Sequence, residues 1–238
     1  MVILLIMGNL KMLIDDLRAR LSAFNDVFNH DMLTVQQRDY MWFKCRLGVI
    51  TASGIDAILA KTGSATRDGY MATLIAEIAT GAPAEPVSAK TLQWGIDHEP
   101  AAIEAYSFMT GNVVVQIPFV YRDGDMRCGC SPDGVMDDFT LEIKCPYMSR
   151  RHIELIVDGR MDKDYMAQTQ FQMWVMGTNK VDFHSHDPRM LKHTDHIVTV
   201  ERSDIFMKKF DDAIPQFIME MDAKLERLGF KFGEQFKS

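Results

Sequence analysis

The sequence has few cysteines and lacks the motifs that mark several large enzyme classes. Its four cysteines form no C-x-x-C pair, and Cys128-x-Cys130 alone is a poor half-site for zinc. No G-x-S-x-G motif is present and no cysteine has an evident histidine partner, so neither a serine nor a cysteine hydrolase is indicated. A G-x-x-x-x-G-K-[ST] loop is also missing, so nothing in the sequence indicates ATP binding.

Long hydrophobic runs are absent as well. The apolar residues 1–7 are too few to span a bilayer, and they lack the charged leader and the cleavage site of a signal peptide. We therefore expect a cytoplasmic protein with free thiols and no membrane partner, in which residues 1–12 form a dispensable extension.

Basic residues are fewer than acidic ones, 26 against 33, so the net charge is −7 and the isoelectric point is about 5.5. This balance argues against a basic protein that coats DNA. It is compatible with an enzyme that encloses DNA, because only the channel of such an enzyme needs positive charge. The 238 residues, 47% of them hydrophobic, can build a sizeable core, and no linker divides them, so we expect one domain over residues 1–238.

Two carboxylates and a lysine are spaced in a way that suits metal-dependent cleavage of phosphodiesters. Asp133 lies in a Pro-Asp-Gly turn, and Glu142 and Lys144 lie in a run that alternates polar and apolar residues, which predicts a strand. Side chains two apart on a strand face the same way, so Glu142 and Lys144 project together. If the turn brings Asp133 beside them, the carboxylate oxygens suit Mg²⁺. The alternative is an exposed strand with an incidental Glu and Lys.

The pattern of apolar residues changes near residue 112, from helical spacing to strand-like runs. The expected fold class is α/β, with a central mixed β-sheet flanked by helices. The predicted helices cover residues 12–29, 34–44, 68–80, 89–110, 164–176 and 203–228, with a short helix ending at residue 59. The predicted strands cover residues 113–117, 119–121, 126–130, 140–145, 180–186 and 194–200.

Three more polar residues are candidates for the same site. Asp123 lies in a predicted hairpin turn, and as a third carboxylate it would allow two metal ions to bind. Glu99 lies on a predicted helix beside Trp94 and Gly95, and it would turn inward if that helix packs closely. Gln168 lies on another predicted helix, where it could orient water or phosphate. Each of the three could instead be a solvated surface residue.

A second cluster could bind phosphate. Arg46 can bind a phosphate through two hydrogen bonds, and Ser53, near the start of a helix, can add hydroxyl and backbone donors. The alternatives are a surface salt bridge for Arg46 and core packing for the neighbouring Trp42. Four histidines between residues 184 and 196 match no usual zinc spacing and have no cysteine nearby, so we expect no structural zinc.

As an ordered set, these motifs resemble those of the lambda exonuclease family, the alkaline exonucleases of phage recombination in the PD-(D/E)xK nuclease superfamily. The resemblance runs from about residue 36 to the C-terminus and implies a restriction-endonuclease-like core. The matching motifs are Trp42-x-x-x-Arg46-x-Gly48-x-Ile50-Thr51-Ala52-Ser53, Trp94-Gly95-x-x-x-Glu99, Asp123, Ser131-Pro132-Asp133-Gly134, Glu142-Ile143-Lys144-Cys145-Pro146, Tyr165-Met166-Ala167-Gln168 and residues 229–236.

The resemblance implies a processive 5′→3′ exonuclease that degrades one strand of linear double-stranded DNA to mononucleotides and prefers 5′-phosphorylated ends. It implies two Mg²⁺ ions per active site, with Mn²⁺ as a substitute. It also implies a ring-shaped homotrimer with a central channel in the cytoplasm of a bacterial host. The implied partner is a single-strand annealing protein that loads on the exposed 3′ strand.

Individual residues acquire roles from the same resemblance. The implied metal ligands are Asp133, Glu142 and the backbone carbonyl of Ile143 for one ion, and Asp123 with Asp133 for the second. The implied catalytic residues are Lys144, Glu99, Gln168, Asp133 and Glu142, among which Lys144 would position or deprotonate the attacking water. The implied 5′-phosphate pocket consists of Arg46, Ser53, Ser131 and Trp42. The implied contacts to incoming DNA are Lys90 and, as a wedge between the strands, Leu92.

Two other functions remain open at this point. A PD-(D/E)xK endonuclease that acts on branched or specific DNA would share the same core chemistry. A DNA-end-binding scaffold would have lost the activity, although the intact set of Asp133, Glu142 and Lys144 argues against it. The loop over residues 61–67 departs from the family pattern, so we expect no transferable DNA contacts there.

Overall fold

The computed structural model describes residues 14–84 and 89–237, so the expected extension over residues 1–12 lies outside the described part. The helices are α1 (14–22), α2 (Asn25–Phe28), α3 (Tyr40–Lys44), α4 (Ile55–Leu59), α5 (Ala65–Thr80), α6 (Ala89–Thr110), α7 (Ser149–Asp158), α8 (Lys163–Met176) and α9 (Asp204–Leu228). The strands are β1 (Ile50–Thr51), β2 (Val120–Tyr121), β3 (Cys128–Cys130), β4 (Gly134–Val135), β5 (Thr140–Lys144), β6 (Lys180–His186) and β7 (Asp195–Glu201). In these ranges no helix combines the length and the apolar character needed to cross a membrane.

The strands form two mixed sheets, which confirms the predicted α/β class and divides the predicted sheet in two. In the smaller sheet β3 lies between β1 and β2, parallel to β1 and antiparallel to β2. The larger sheet has the order β4-β5-β6-β7, in which β5 and β6 are parallel and the outer pairs are antiparallel. The division falls at Pro132, which has no N–H with which to continue a ladder.

Most predicted helices form, but their lengths differ in the first part of the chain. The predicted helix over residues 12–29 is interrupted at residues 23–24, and the one over 34–44 is reduced to α3. The side chain of Asp39 sets the start of α3, because it accepts a 2.7 Å hydrogen bond from the N–H of Trp42. Helix α7 was not predicted at all.

Helix α8 is the element that joins the sheets to the rest of the core. It contacts β2, β3 and β6 and also packs against α9. Phe171 of α8 and Phe210 of α9 are fully buried with their ring centroids 5.7 Å apart. Helix α8 ends where Gly177 takes the left-handed conformation, with φ of 77°. This packing fixes the position of the polar side chains of α8, among them Gln168, relative to the strands.

Candidate active site

The turn before β4 brings Asp133 against β5. Oδ2 of Asp133 accepts a 2.6 Å hydrogen bond from the backbone N–H of Ile143, and the N–H of Asp133 donates to the carbonyl of Leu141 at 3.2 Å. The next residue, Gly134, is closely packed, since a Cβ there would lie 2.3 Å from Cγ1 of Val114. The Pro-Asp-Gly turn thus fixes the carboxylate beside the strand, which meets the condition for Asp133 to join Glu142 and Lys144.

Glu142 is the centre of a polar cluster on one face of β5. It is only 3% exposed, and its Oε1 accepts hydrogen bonds from Lys144 Nζ and, at 2.6 Å, from Nε2 of Gln168 on α8. Within the described ranges, Oε2 of Glu142 and Oδ1 of Asp133 accept no hydrogen bond. Each carboxylate therefore keeps one oxygen available to a metal ion.

The electrostatics of the cluster also fit a divalent cation. Burial raises the pKa of Asp133 well above its ordinary value, and the neighbouring Glu142 raises it further. Burial alone would lower the pKa of Lys144, but Glu142 and Asp133 outweigh it and raise that pKa above its ordinary range. The lysine does not fully offset the repulsion between the carboxylates, which a cation between them would remove. Their free oxygens and the carbonyl of Ile143 are ligands that suit Mg²⁺.

The cluster opens onto a cleft of about 570 Å³ that is also lined by Glu99 and Leu92 of α6. Glu99 forms an ion pair with Arg38, a residue that sequence reasoning missed. Arg38 has a φ of 73°, a left-handed conformation that is uncommon for a residue other than glycine. No local pattern marks Arg38, because its partner lies 61 residues away. Leu92 is 55% exposed at the cleft, and Lys90 is exposed but does not line it.

Asp123 lies at the other end of its hairpin. The predicted turn forms between β2 and β3, whereas Asp133 follows β3 at the opposite end of that strand. The side chain of Asp123 is 54% exposed, 3.8 Å from Arg122, and accepts a hydrogen bond from the N–H of Asp125. The guanidinium of Arg122 lies over Trp174, six residues along α8 from Gln168. Asp123 is therefore not among the residues that line the cleft with Asp133, and the structure gives no support to the expectation that the two share a metal ion.

The four residues of the expected phosphate pocket do come together. Trp42 Nε1 and Arg46 Nη1 donate hydrogen bonds of 2.9 and 3.1 Å to Oγ of Ser131, which leaves the hydroxyl hydrogen of Ser131 free to donate. The guanidinium of Arg46 lies 4.0 Å over the Trp42 ring. Ser53 lines the same cleft as Trp42 and Arg46, which has a volume of about 260 Å³.

Arg46 is a half-buried cation that lacks an acidic partner. Burial lowers its pKa, although an arginine remains charged. Among the residues that the structure describes, no carboxylate forms an ion pair with it. A desolvated guanidinium in this position suits an anion with paired oxygens, such as phosphate.

A second cavity, of about 350 Å³, begins at Lys144 and extends beneath α7. Its basic lining residues include Arg151, Arg160 and Lys163, and Tyr165 adds an aromatic ring 5.4 Å from Lys144 Nζ. Sequence reasoning missed this cavity because it missed α7. The lining also includes Glu154 and Asp162, and Arg151 and Arg160 are paired with Asp162 and Asp158, so the cavity is of mixed charge.

Comparisons with known proteins identify a family for this chain. Residues 41–180 match the YqaJ-like viral recombinase domain. The chain is 32% identical to the alkaline exonuclease LHK-Exo of Laribacter hongkongensis, with a TM-score of 0.73 over 80% of this chain and 96% of that one. It is 44% identical to ExoD of Escherichia coli K12 over 73 residues, which are 31% of this chain and 84% of that protein. A phage-related exonuclease of Haemophilus somnus has a TM-score of 0.63 over 76% of this chain and 96% of that one, but at 13% identity it shows the fold alone.

The matched region runs through both clusters. It begins one residue before Trp42 and ends after Gln168, so it contains the residues around Asp133 and the phosphate pocket. The match to LHK-Exo extends over nearly all of that protein. The chain belongs to the YqaJ-like viral recombinase family, the lambda-exonuclease-like group that its motifs resemble.

Proposed function

We propose that this chain is a Mg²⁺-dependent exonuclease that degrades one strand of linear duplex DNA from a 5′-phosphorylated end to mononucleotides. Family membership and the match to an alkaline exonuclease support the coarser part, a phage-type exonuclease of recombination. The observation that carries the proposal is the meeting of Asp133, Glu142, Lys144 and Gln168 with one oxygen of each carboxylate left free.

Asp133, Glu142 and the carbonyl of Ile143 would hold Mg²⁺, which would supply Lewis acidity towards water and positive charge towards the phosphate. Mn²⁺ has similar ligand preferences and is expected to substitute. Asp133 and Glu99 would hold a second ion, because both line the cleft, whereas Asp123 does not.

The chain's own side chains orient the reaction. Gln168 holds the carboxylate of Glu142 in place through its 2.6 Å hydrogen bond. Lys144, whose ammonium contacts the same carboxylate, positions the attacking water. Glu99 lies across the cleft and assists Lys144 with the water, while Arg38 keeps the Glu99 side chain in place. Preorganised groups of this kind lower the barrier because they need not reorient during the reaction.

The phosphate pocket sets which bond is cleaved. Arg46 binds the terminal 5′-phosphate, Ser131 and Ser53 donate to it, and the Trp42 ring supports the guanidinium. Ser131 stands two residues before Asp133, so a captured 5′-phosphate places the first internal phosphodiester near the metal ligands. Such a register releases one nucleotide at a time.

The remaining parts of the proposal concern DNA entry and assembly, and they rest on the family. Leu92 is exposed at the cleft, where it can separate the strands, and Lys90 lies two residues earlier on α6 to contact the incoming duplex. A ring-shaped homotrimer around the DNA would make degradation processive without tight binding. A single-strand annealing protein would then load on the surviving 3′ strand.

Digestion of a linear duplex with a 5′-phosphate at one end only tests the proposal. With Mg²⁺ and strand-specific labels, the phosphorylated strand should disappear from its 5′ end while its complement survives. A closed circle of the same sequence should stay intact. Cleavage of the circle would favour a PD-(D/E)xK endonuclease instead. No cleavage in either Mg²⁺ or Mn²⁺ would leave a DNA-end-binding scaffold as the better account.

A further inference from the structure

We propose that His184, His186 and Asp195 form a second metal site, which binds a borderline transition-metal ion such as Zn²⁺. The site lies on the face of the larger sheet opposite the nuclease cluster. Strand β6 presents His184 and His186 on that face, because they are two residues apart. Strand β7 supplies Asp195, which is paired directly with His186 in the antiparallel ladder.

The three side chains converge on one point. Nε2 of His184 and Nδ1 of His186 lie 3.0 and 2.7 Å from the same oxygen, Oδ1 of Asp195. One ligand atom from each residue lies within 4.8 Å of the other two. Ligands about 2.0 to 2.1 Å from a tetrahedral Zn²⁺ stand about 3.3 Å apart, so small outward movements would admit the ion.

The surroundings of the cluster resemble those of a built metal site. Oγ1 of Thr194 donates a 2.8 Å hydrogen bond to Oδ2 of Asp195, and hydrogen bonds of this kind orient the carboxylates that bind metals. His184 is fully buried, so its ring is held in place by the surrounding core. Asp195 is partly exposed on the edge strand, so an ion and a water molecule as fourth ligand can reach the site.

Hydrogen bonding alone is an incomplete account of this cluster. Nε2 of His184 contacts Asp195, but its Nδ1 is buried without a hydrogen-bond partner among the described residues, so hydrogen bonding does not engage both ring nitrogens. His152 shows the contrast on the other face, where its two ring nitrogens are engaged by Oγ of Ser185 and the carbonyl of His193, both at 2.7 Å. Coordination would replace the 3.0 Å hydrogen bond of Nε2 with a bond to the metal.

The donor set determines the class of metal. Two imidazoles and one carboxylate favour Zn²⁺ and its transition-metal neighbours, whereas the oxygen ligands around Asp133 favour Mg²⁺. The ion would join β6 to β7 and so stabilise the outer half of the larger sheet. This site cannot be predicted from the spacing of the histidines. Its third ligand is Asp195, which only the pairing of β6 with β7 brings near them.

Calorimetric titration of the full chain with Zn²⁺, in excess Mg²⁺ and with thermal unfolding as a second readout, tests this proposal. We expect one Zn²⁺ per chain and a higher midpoint of unfolding. Asp195→Asn, which preserves the size of the side chain, and His186→Ala should each weaken binding at least tenfold. His193→Asn removes an exposed histidine of the adjoining turn and tolerates its left-handed backbone, so it should bind like the wild type.

Asp133→Ala distinguishes the two proposed metal sites. The substitution removes a Mg²⁺ ligand of the nuclease cluster, and the variant should still bind one Zn²⁺ per chain. The proposal is overturned if no Zn²⁺ binds in excess Mg²⁺, if Asp195→Asn and His186→Ala bind normally, or if His193→Asn or Asp133→Ala loses the ion. Circular dichroism of each variant shows whether it folds. None of these readouts requires DNA cleavage, so failure of the nuclease proposal would leave them interpretable.

Discussion

Replacing Arg46 with alanine should abolish the preference for 5′-phosphorylated ends and leave some cleavage. The guanidinium lies 4.0 Å over Trp42 and donates a 3.1 Å hydrogen bond to Ser131, and no described carboxylate pairs with it. The substitution therefore removes a cation that is available to phosphate. The contacts between Asp133 and β5 do not involve Arg46 and should persist.

The size of the effect follows from the bonds that are lost. Hydrogen bonds to charged groups contribute about 1.5 to 3 kcal/mol, which corresponds to a loss of about 10- to 150-fold in kcat/KM on phosphorylated ends. Ends with a 5′-hydroxyl offer no phosphate to bind, so their kcat/KM should change by less than about threefold. Arg46→Lys keeps the charge but not the forked geometry of the guanidinium. Its kcat/KM on phosphorylated ends should lie between those of the wild type and Arg46→Ala.

The assay compares two linear duplexes that differ only in the 5′ group of one strand. Arg127→Ala is a matched control, because its guanidinium also lies 4.0 Å over an aromatic ring, that of Phe232, but is paired with Asp222. The ratio of kcat/KM between the two ends should collapse for Arg46→Ala and stay unchanged for Arg127→Ala. Equal losses on both ends for Arg46→Ala, or the same collapse in the control, would refute the phosphate role.

The other predictions concern the metal ligand, its support and acid stability. Asp133→Ala should abolish cleavage in Mg²⁺ with a normal melting curve, and near-normal turnover would exclude it as a ligand. Gln168→Ala removes the 2.6 Å hydrogen bond to Glu142 and should lower kcat about 10- to 100-fold. An unchanged kcat would show that Gln168 does not position Glu142. Burial would raise the pKa of Asp187, but Arg189 holds it at about 2, below the ordinary 3.8. Asp187 therefore stabilises the fold above pH 3.8, by on the order of 1 kcal/mol, and loses this effect as the pH falls towards 2. Urea unfolding of Asp187→Asn and the wild type should converge over that range, and a constant gap would contradict the pairing.

Strand β5 and the common face of Glu142 and Lys144 could be predicted from sequence, because strand alternation is a local property. The predicted limits of α6, from Ala89 to Thr110, agree with the structure for a similar reason. Periodicity within the segment, with Gly111 after its last turn, is enough to mark where such a helix ends. Family motifs then added the pairing of Arg46 with Ser131, which no local pattern contains.

Features that depend on tertiary packing could not be predicted in this way. The buried face of α7 is an example, because the charged residues of this helix lie on one side, yet it buries His152 and Leu155 and exposes Ile153 and Val157. The ten-residue spacing from Asp123 to Asp133 is compatible with either end of the β2–β3 hairpin. Only the register between those strands shows that the turn lies away from the metal ligands.

The parallel pair of β5 and β6 connects the two proposed metal sites physically. Glu142 is paired with Phe183 and Lys144 with Ser185 on one face, whereas Ile143 is paired with His184 on the other. A slip of one residue in β6 would turn His184 towards the nuclease cleft and Ser185 away from it, so one ladder determines both arrangements. Substitutions that leave the backbone in place act on a single face. For this reason the Zn²⁺ titration and the DNA digestion can succeed or fail separately, although both sites depend on the same strand pairing.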